Sequence, residues 1–254
     1  MNFKPWSLGR IGGIDVSIHP TFWLVPAYIA LTGGGVFGVL MVLALFGCVL
    51  LHEFGHALEA RRHGIGTSGI TLYPIGGVAS LARIPRKPGV ELLVTLAGPA
   101  VNLAIAAFLL AGLWAFEPVG VVANFAASLM WLNLGLAIFN MLPAFPMDGG
   151  RVLRALLSGP MGRLRATEFA AGLGRILAIG LGLYGLFGGA LNLVFLAIFV
   201  YLAGAAELSR VRAEEGEDPR DGGHPNVTFA PPGYRWVGRG QGAWQLVPIY
   251  VQPR

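Results

Sequence analysis

The chain has 254 residues, of which 55% are hydrophobic and 12% charged; a soluble domain carries about 25% charged residues. So little charge cannot coat a water-facing sphere of this size, which excludes a soluble globular enzyme and a disordered chain and leaves a polytopic membrane protein. The net charge of +5 is what Lys- and Arg-rich cytoplasmic loops give such a protein and does not point to nucleic acid.

Residues 1–20 contain no apolar stretch followed by a small-residue cleavage site, so no removable signal peptide is expected. A membrane helix needs about 20 mostly apolar residues, and six stretches approach that length: 20–31, 36–60, 90–115, 121–142, 169–187 and 191–206. The first is short unless it begins nearer Ile14. Between the second and third, residues 68–81 read as two β-rich pieces, 70–73 and 78–81, around Pro74 and Gly76-Gly77. The expected fold is an all-α polytopic membrane protein with six transmembrane helices and this short β-rich, membrane-associated segment.

The basic residues orient the map. Loops 32–35, 116–120 and 188–189 hold no Lys or Arg, and 17 of the 18 basic residues fall on the opposite side, leaving only Arg175 inside an apolar run. The positive-inside rule then puts both termini in the cytoplasm, and the expected location is the plasma membrane. Residues 1–206 form the expected core. Residues 207–254 form a cytoplasmic tail with an acidic cluster, Glu214, Glu215, Glu217 and Asp218, and a possible hairpin in 234–251. The single cysteine, Cys48, lies in an apolar run and offers neither a disulfide nor a thiolate cluster.

Ionisable groups at membrane depth are costly and mark function. The second span runs sixteen residues, 36–51, without a charge, and then reads His52-Glu53-Phe54-Gly55-His56. Residues four apart share a helix face, so both imidazoles can reach one ion. The intervening Glu53 is placed to take a proton from water activated there, the arrangement of zinc hydrolases. With the helix leaving the membrane near Arg61, His56 and His52 lie about 8 and 14 Å inside that end. A structural, non-catalytic metal site is the alternative, but it gives Glu53 no role in lipid.

Catalytic zinc takes three protein ligands and keeps one open position. His63 stands one position off the extended His-Glu-x-x-His pattern, and Glu91 opens the third span. Asp148 is the strongest choice. It sits in Asn140-Met141-Leu142-Pro143-Ala144-Phe145-Pro146-Met147-Asp148-Gly149-Gly150, where two prolines and two glycines break the helix and can turn a carboxylate toward the bundle. The competing role for Asp148 is the N-cap of a helix starting near Arg151.

These residues resemble the site-2 protease family of intramembrane zinc metalloproteases. The likeness rests on His52 to His56, on Leu72-Tyr73-Pro74-Ile75-Gly76-Gly77-Val78-Ala79, on Ala97-Gly98-Pro99-Ala100-Val101-Asn102, on residues 140–154 and on Ser17-Ile18-His19-Pro20. It covers about residues 10–206. The resemblance implies a six-helix core, zinc on His52, His56 and Asp148, and Glu53 as base. It also implies a role for Asn140 in positioning a transmembrane protein substrate. The 61–89 connection is too short for an inserted PDZ domain and the tail too short for paired CBS domains, which points to the minimal type.

The β-rich segment, with Gly76 and Gly77 at its turn, is a candidate substrate-binding edge that would pair with an unwound peptide. A plain amphipathic surface loop is the alternative. His19 reads as a structural histidine at the membrane boundary and Arg175 as a side chain that snorkels to the cytoplasmic surface. Asn102, Asn124 and Asn133 read as helix–helix hydrogen bonders. A metal transporter or an inactive metal-binding scaffold would be the competing functions. A conduction path needs polar groups across the whole membrane, and the outer halves of the spans are almost free of ionisable groups.

Overall fold

In lipid every backbone polar group must be satisfied within its own segment, so long apolar runs fold as helices. The computed structural model describes residues 4–74, 76–81, 85, 87–216, 234–238 and 244–248. Among them, five helices are long and apolar enough to cross a membrane: α2 (Gly35–Arg62), α3 (Pro88–Phe116), α4 (Gly120–Asn140), α6 (Arg163–Phe187) and α7 (Leu191–Gly216). Large apolar side chains such as Phe108, Trp114 and Phe187 project outward from them.

The first expected span differs. A 3-10 turn at Pro20–Trp23 leads into α1 (Leu24–Leu31), and together they reach only about 18 Å at helical rise, short of the ~30 Å hydrocarbon core. The residues from Ile14, which would have lengthened it, form a strand instead. Two other helices outrun their expected bounds: α6 begins six residues earlier, at Arg163, and α7 continues ten residues past Ala206. A separate helix, α5 (Asp148–Met161), lies between α4 and α6.

A four-stranded sheet accompanies the helices, in the order β1 (Trp6–Ile11), β2 (Ile14–Ile18), β3 (Thr67–Tyr73), β4 (Gly76–Leu81). The strands β3 and β4 cover the two β-rich pieces expected within residues 68–81 and pair antiparallel with each other. The antiparallel pair β1 and β2 was not foreseen; β2 aligns parallel to β3, with Val16 opposite Ile70. Ile14, Ala57 and Ile70 form a buried cluster with Leu50 and Phe54 against it, which seats the sheet on α2 beside the His-Glu-x-x-His turn. A second cluster, Phe22, Phe46 and Leu72, ties the 3-10 turn and β3 to α2 higher up.

The chain divides into two units, Met1–Ser209 and Arg210–Arg254. In the second, β5 (Tyr234–Gly238) pairs antiparallel with β6 (Trp244–Pro248), the hairpin expected there. The acidic residues Glu217 and Asp218 lie outside the described residues.

Candidate metal centre

His52 and His56, one turn apart on α2, are both buried, and their Nε2 atoms lie 3.1 Å from each other. Asp148 Oδ2 lies 3.2 Å from each of those nitrogens. The three atoms make a nearly equilateral triangle. Ligands of a tetrahedral zinc ion with bonds of about 2.0–2.1 Å stand roughly 3.3 Å apart, so the triangle has the dimensions of one face of that polyhedron.

Hydrogen bonding on the far side of each ring fixes which nitrogen is free. His56 Nδ1 donates to the Val94 carbonyl at 2.8 Å, and His52 Nδ1 to Asn102 Oδ1 at 3.1 Å. With their protons on Nδ1, both rings turn Nε2 lone pairs inward, where Asp148 Oδ2 is buried without a hydrogen-bond donor. Three electron-pair donors thus converge on one buried point, and a cation satisfies all of them. Two nitrogens and a carboxylate oxygen suit zinc. Among the described residues, this is the group of three side chains able to hold a metal ion.

The surrounding backbone makes room for it. A Cβ at Gly98 of α3 would collide with the His56 ring and stand 2.7 Å from His52 Nε2, so only glycine lets α3 press against both imidazoles. Asp148 is brought in by the turn after α4. The helix α5 begins at Asp148 itself, with Met147 in the capping position and no side-chain cap; Asp148 is therefore not the N-cap of a helix starting near Arg151. A Cβ on Gly149 would strike the carbonyls of Met141 and Leu142, and one on Gly150 would lie 2.7 Å from Phe145 N. The two glycines let the helix start directly beneath its own connecting loop.

Glu53 is half-buried and lies within electrostatic reach of His52, His56, Asp148 and Arg151. Gly77 of β4 faces it closely. Gly76 has φ +135°, a backbone conformation suited to glycine, and opens β4. Asn140 is half-buried and ends α4.

The other expected candidates lie elsewhere. His63 pairs with Glu59 at 3.2 Å at the end of α2. Glu91 bonds Arg154, not the imidazole pair. His19 accepts from the Thr21 amide, capping the 3-10 turn, and stacks on Tyr73 with ring centroids 5.0 Å apart. Arg175 lies over the Tyr201 ring of α7, 5.9 Å from its centroid, a contact within the helix bundle that the snorkelling expectation did not include. Asn133 bonds Cys48 and the Leu129 carbonyl, a helix–helix contact as expected. Asn102 likewise bonds across helices, from α3 to His52 on α2, and this contact also orients the His52 ring. The sequence held a signal for this role, since Gly98 and Asn102 stand one turn apart on α3, but nothing in it showed which helix they face.

Residues 40–127 and 115–181 match the profile of Peptidase family M50. The chain is similar to a zinc metalloprotease of Methanocaldococcus jannaschii, 39% identical over 207 residues, covering 80% of this chain and 60% of that protein. It is also similar to stage IV sporulation protein FB of Bacillus subtilis, 28% identical over 192 residues, covering 75% of this chain and 64% of that one. Among solved structures it resembles the site-2 protease from Methanocaldococcus jannaschii, with a TM-score of 0.65 and 37% identity, over 81% of this chain and 95% of that one. The chain thus spans about three fifths of the length of the first of these relatives.

Proposed function

This chain belongs to peptidase family M50 and is a multi-pass membrane protein, and from that premise we propose that it is an intramembrane zinc metalloprotease of the site-2 protease type. Its substrates are transmembrane proteins, cut within or near their membrane segments. The observation that carries the proposal is the buried convergence of His52 Nε2, His56 Nε2 and Asp148 Oδ2 beside Glu53. These three side chains would hold the zinc ion, leaving a position open.

Bound there, zinc would supply a Lewis acid that polarises the scissile carbonyl and acidifies water. Asn102 and the Val94 carbonyl keep both imidazoles in the tautomer that presents Nε2. Glu53 takes the proton of the attacking water and passes it to the departing amide nitrogen. A helical substrate hides its peptide bonds in internal hydrogen bonds, so a segment must first unwind. Among the described residues, β4 pairs with β3 alone, so it has a free edge close to Glu53, where an extended peptide can add as a further strand. Asn140 and the glycines Gly76 and Gly77 contribute to seating that peptide.

The Lys and Arg that follow α2, α4 and α7 support the cytoplasmic side for the metal centre; we place the protein in the plasma membrane and its catalytic core in residues 1–206. The test is co-expression with single-span membrane proteins. A chelator-sensitive cut that disappears in Glu53→Gln is the expected result; a cut that persists in Glu53→Gln sinks the mechanism. Zinc transport without cleavage would establish the transporter instead.

A further inference from the structure

Arg154, on α5, is completely buried, a rare state for an arginine and one that demands partners. Its Nε donates to Glu91 Oε1 at 2.8 Å and its Nη2 to the same oxygen. Its Nη1 donates to Glu207 Oε1 on α7 at 2.7 Å. The guanidinium also lies over the Phe145 ring, 5.0 Å from its centroid. One cation therefore joins α3, α5, α7 and the loop ahead of α5.

The places it grips are those from which the metal centre is built. Glu91 is one turn before Val94, whose carbonyl orients His56. Phe145 lies three residues before Asp148, and Arg154 six residues after it, about 9 Å along a rigid helix. Asp148 itself occupies the first helical position of α5 without a side-chain cap, where a helix end frays unless something holds it. We propose that Arg154 is a positioning residue: through Glu91 and Phe145 it locks the start of α5 against the α3 turn that orients His56. It thereby fixes Asp148 Oδ2 relative to the two Nε2 atoms. The inference rests on the metal centre proposed above.

A lysine keeps the charge but lacks the planar fork that reaches two carboxylates at once. Glu91→Gln keeps the size and a carbonyl acceptor but removes the charge. The test uses the full-length protein in detergent, with Arg154→Lys, Arg154→Met and Glu91→Gln beside the wild type. It measures helical circular dichroism, the rate of zinc transfer to a chromophoric chelator, and the visible absorption of the cobalt-substituted protein. Arg154→Lys and Glu91→Gln should keep wild-type helicity, release zinc about 10- to 100-fold faster, and change the position or intensity of the cobalt bands. Arg154→Met should be worse, and if it fails to fold the other two decide.

Helical variants with wild-type zinc release and an unaltered cobalt spectrum overturn the inference and leave the metal centre standing. A wild-type protein that holds no zinc, or a His52→Ala protein that holds it as well as wild type, overturns the metal centre and this inference with it.

Discussion

Gly77 of β4 stands directly against Glu53 of α2: a Cβ built on Gly77 lies 2.7 Å from Glu53 Cγ and 3.4 Å from Oε1. The sheet and the helix that carries the proposed base are therefore in contact at that residue. Any change in the position of β4 is felt by the carboxylate, and the reverse. Gly77→Ala should displace Glu53 or lift β4 while leaving the imidazole pair alone. The expected result is a kcat at least about 10-fold lower, equivalent to roughly 1.4 kcal/mol in the barrier, with zinc content unchanged by metal analysis.

Gly98→Ala should fail differently. Its added methyl collides with the rings of both His52 and His56, and overpacking of this kind costs about 1–3 kcal/mol. The purified variant should lose zinc and activity together. Retention of a full equivalent of zinc would contradict the geometry.

Asn102 tests how His52 is held. Asn102→Leu removes the acceptor for His52 Nδ1 and should weaken zinc binding by about 10- to 100-fold in chelator competition. Asn102→Asp keeps an acceptor at that point and should lose less. Equal affinities in both variants would mean that this hydrogen bond does not orient the ring.

Glu53→Gln should separate chemistry from metal binding. The substituted amide cannot accept the proton, so cleavage should fall by about 10²- to 10⁴-fold in a peptide-release assay. Zinc should stay bound, because the triangle of donors does not include Glu53. Removing zinc with a chelator should abolish cleavage in the wild type, and restoring zinc should recover it.

Strand pairing at the free edge of β4 predicts a pattern. Backbone N–H groups of a strand point alternately to its two sides, so proline placed at successive positions of Gly76–Leu81 should impair turnover at alternate sites. A uniform response along the strand would favour a surface loop that does not pair with substrate.

Much of this protein is determined locally. The absence of charge over sixteen residues before His52 makes α2 a membrane-length helix, and the four-residue spacing puts both imidazoles on one face. Proline and glycine after Asn140 end α4 and return the chain, because they limit backbone conformation wherever they occur. The two β-rich pieces that become β3 and β4 were legible for the same reason, though their pairing was not. Periodicity, spacing and backbone restriction act within a few residues, and a sequence displays them directly.

Other features were decided only by the tertiary structure. Nothing in residues 6–18 showed that β2 would align in parallel with β3, some fifty residues away, and the apolar residues there could as well have lengthened the first helix. Glu91 was a possible metal ligand until packing gave it Arg154, 63 residues distant. Asn102 was a generic helix contact until α3 set it against His52, 50 residues earlier. A buried polar side chain must find a partner, but which one it meets depends on how separate helices dock. That arrangement is fixed by close packing, such as Gly98 against the imidazoles, and no local pattern encodes it.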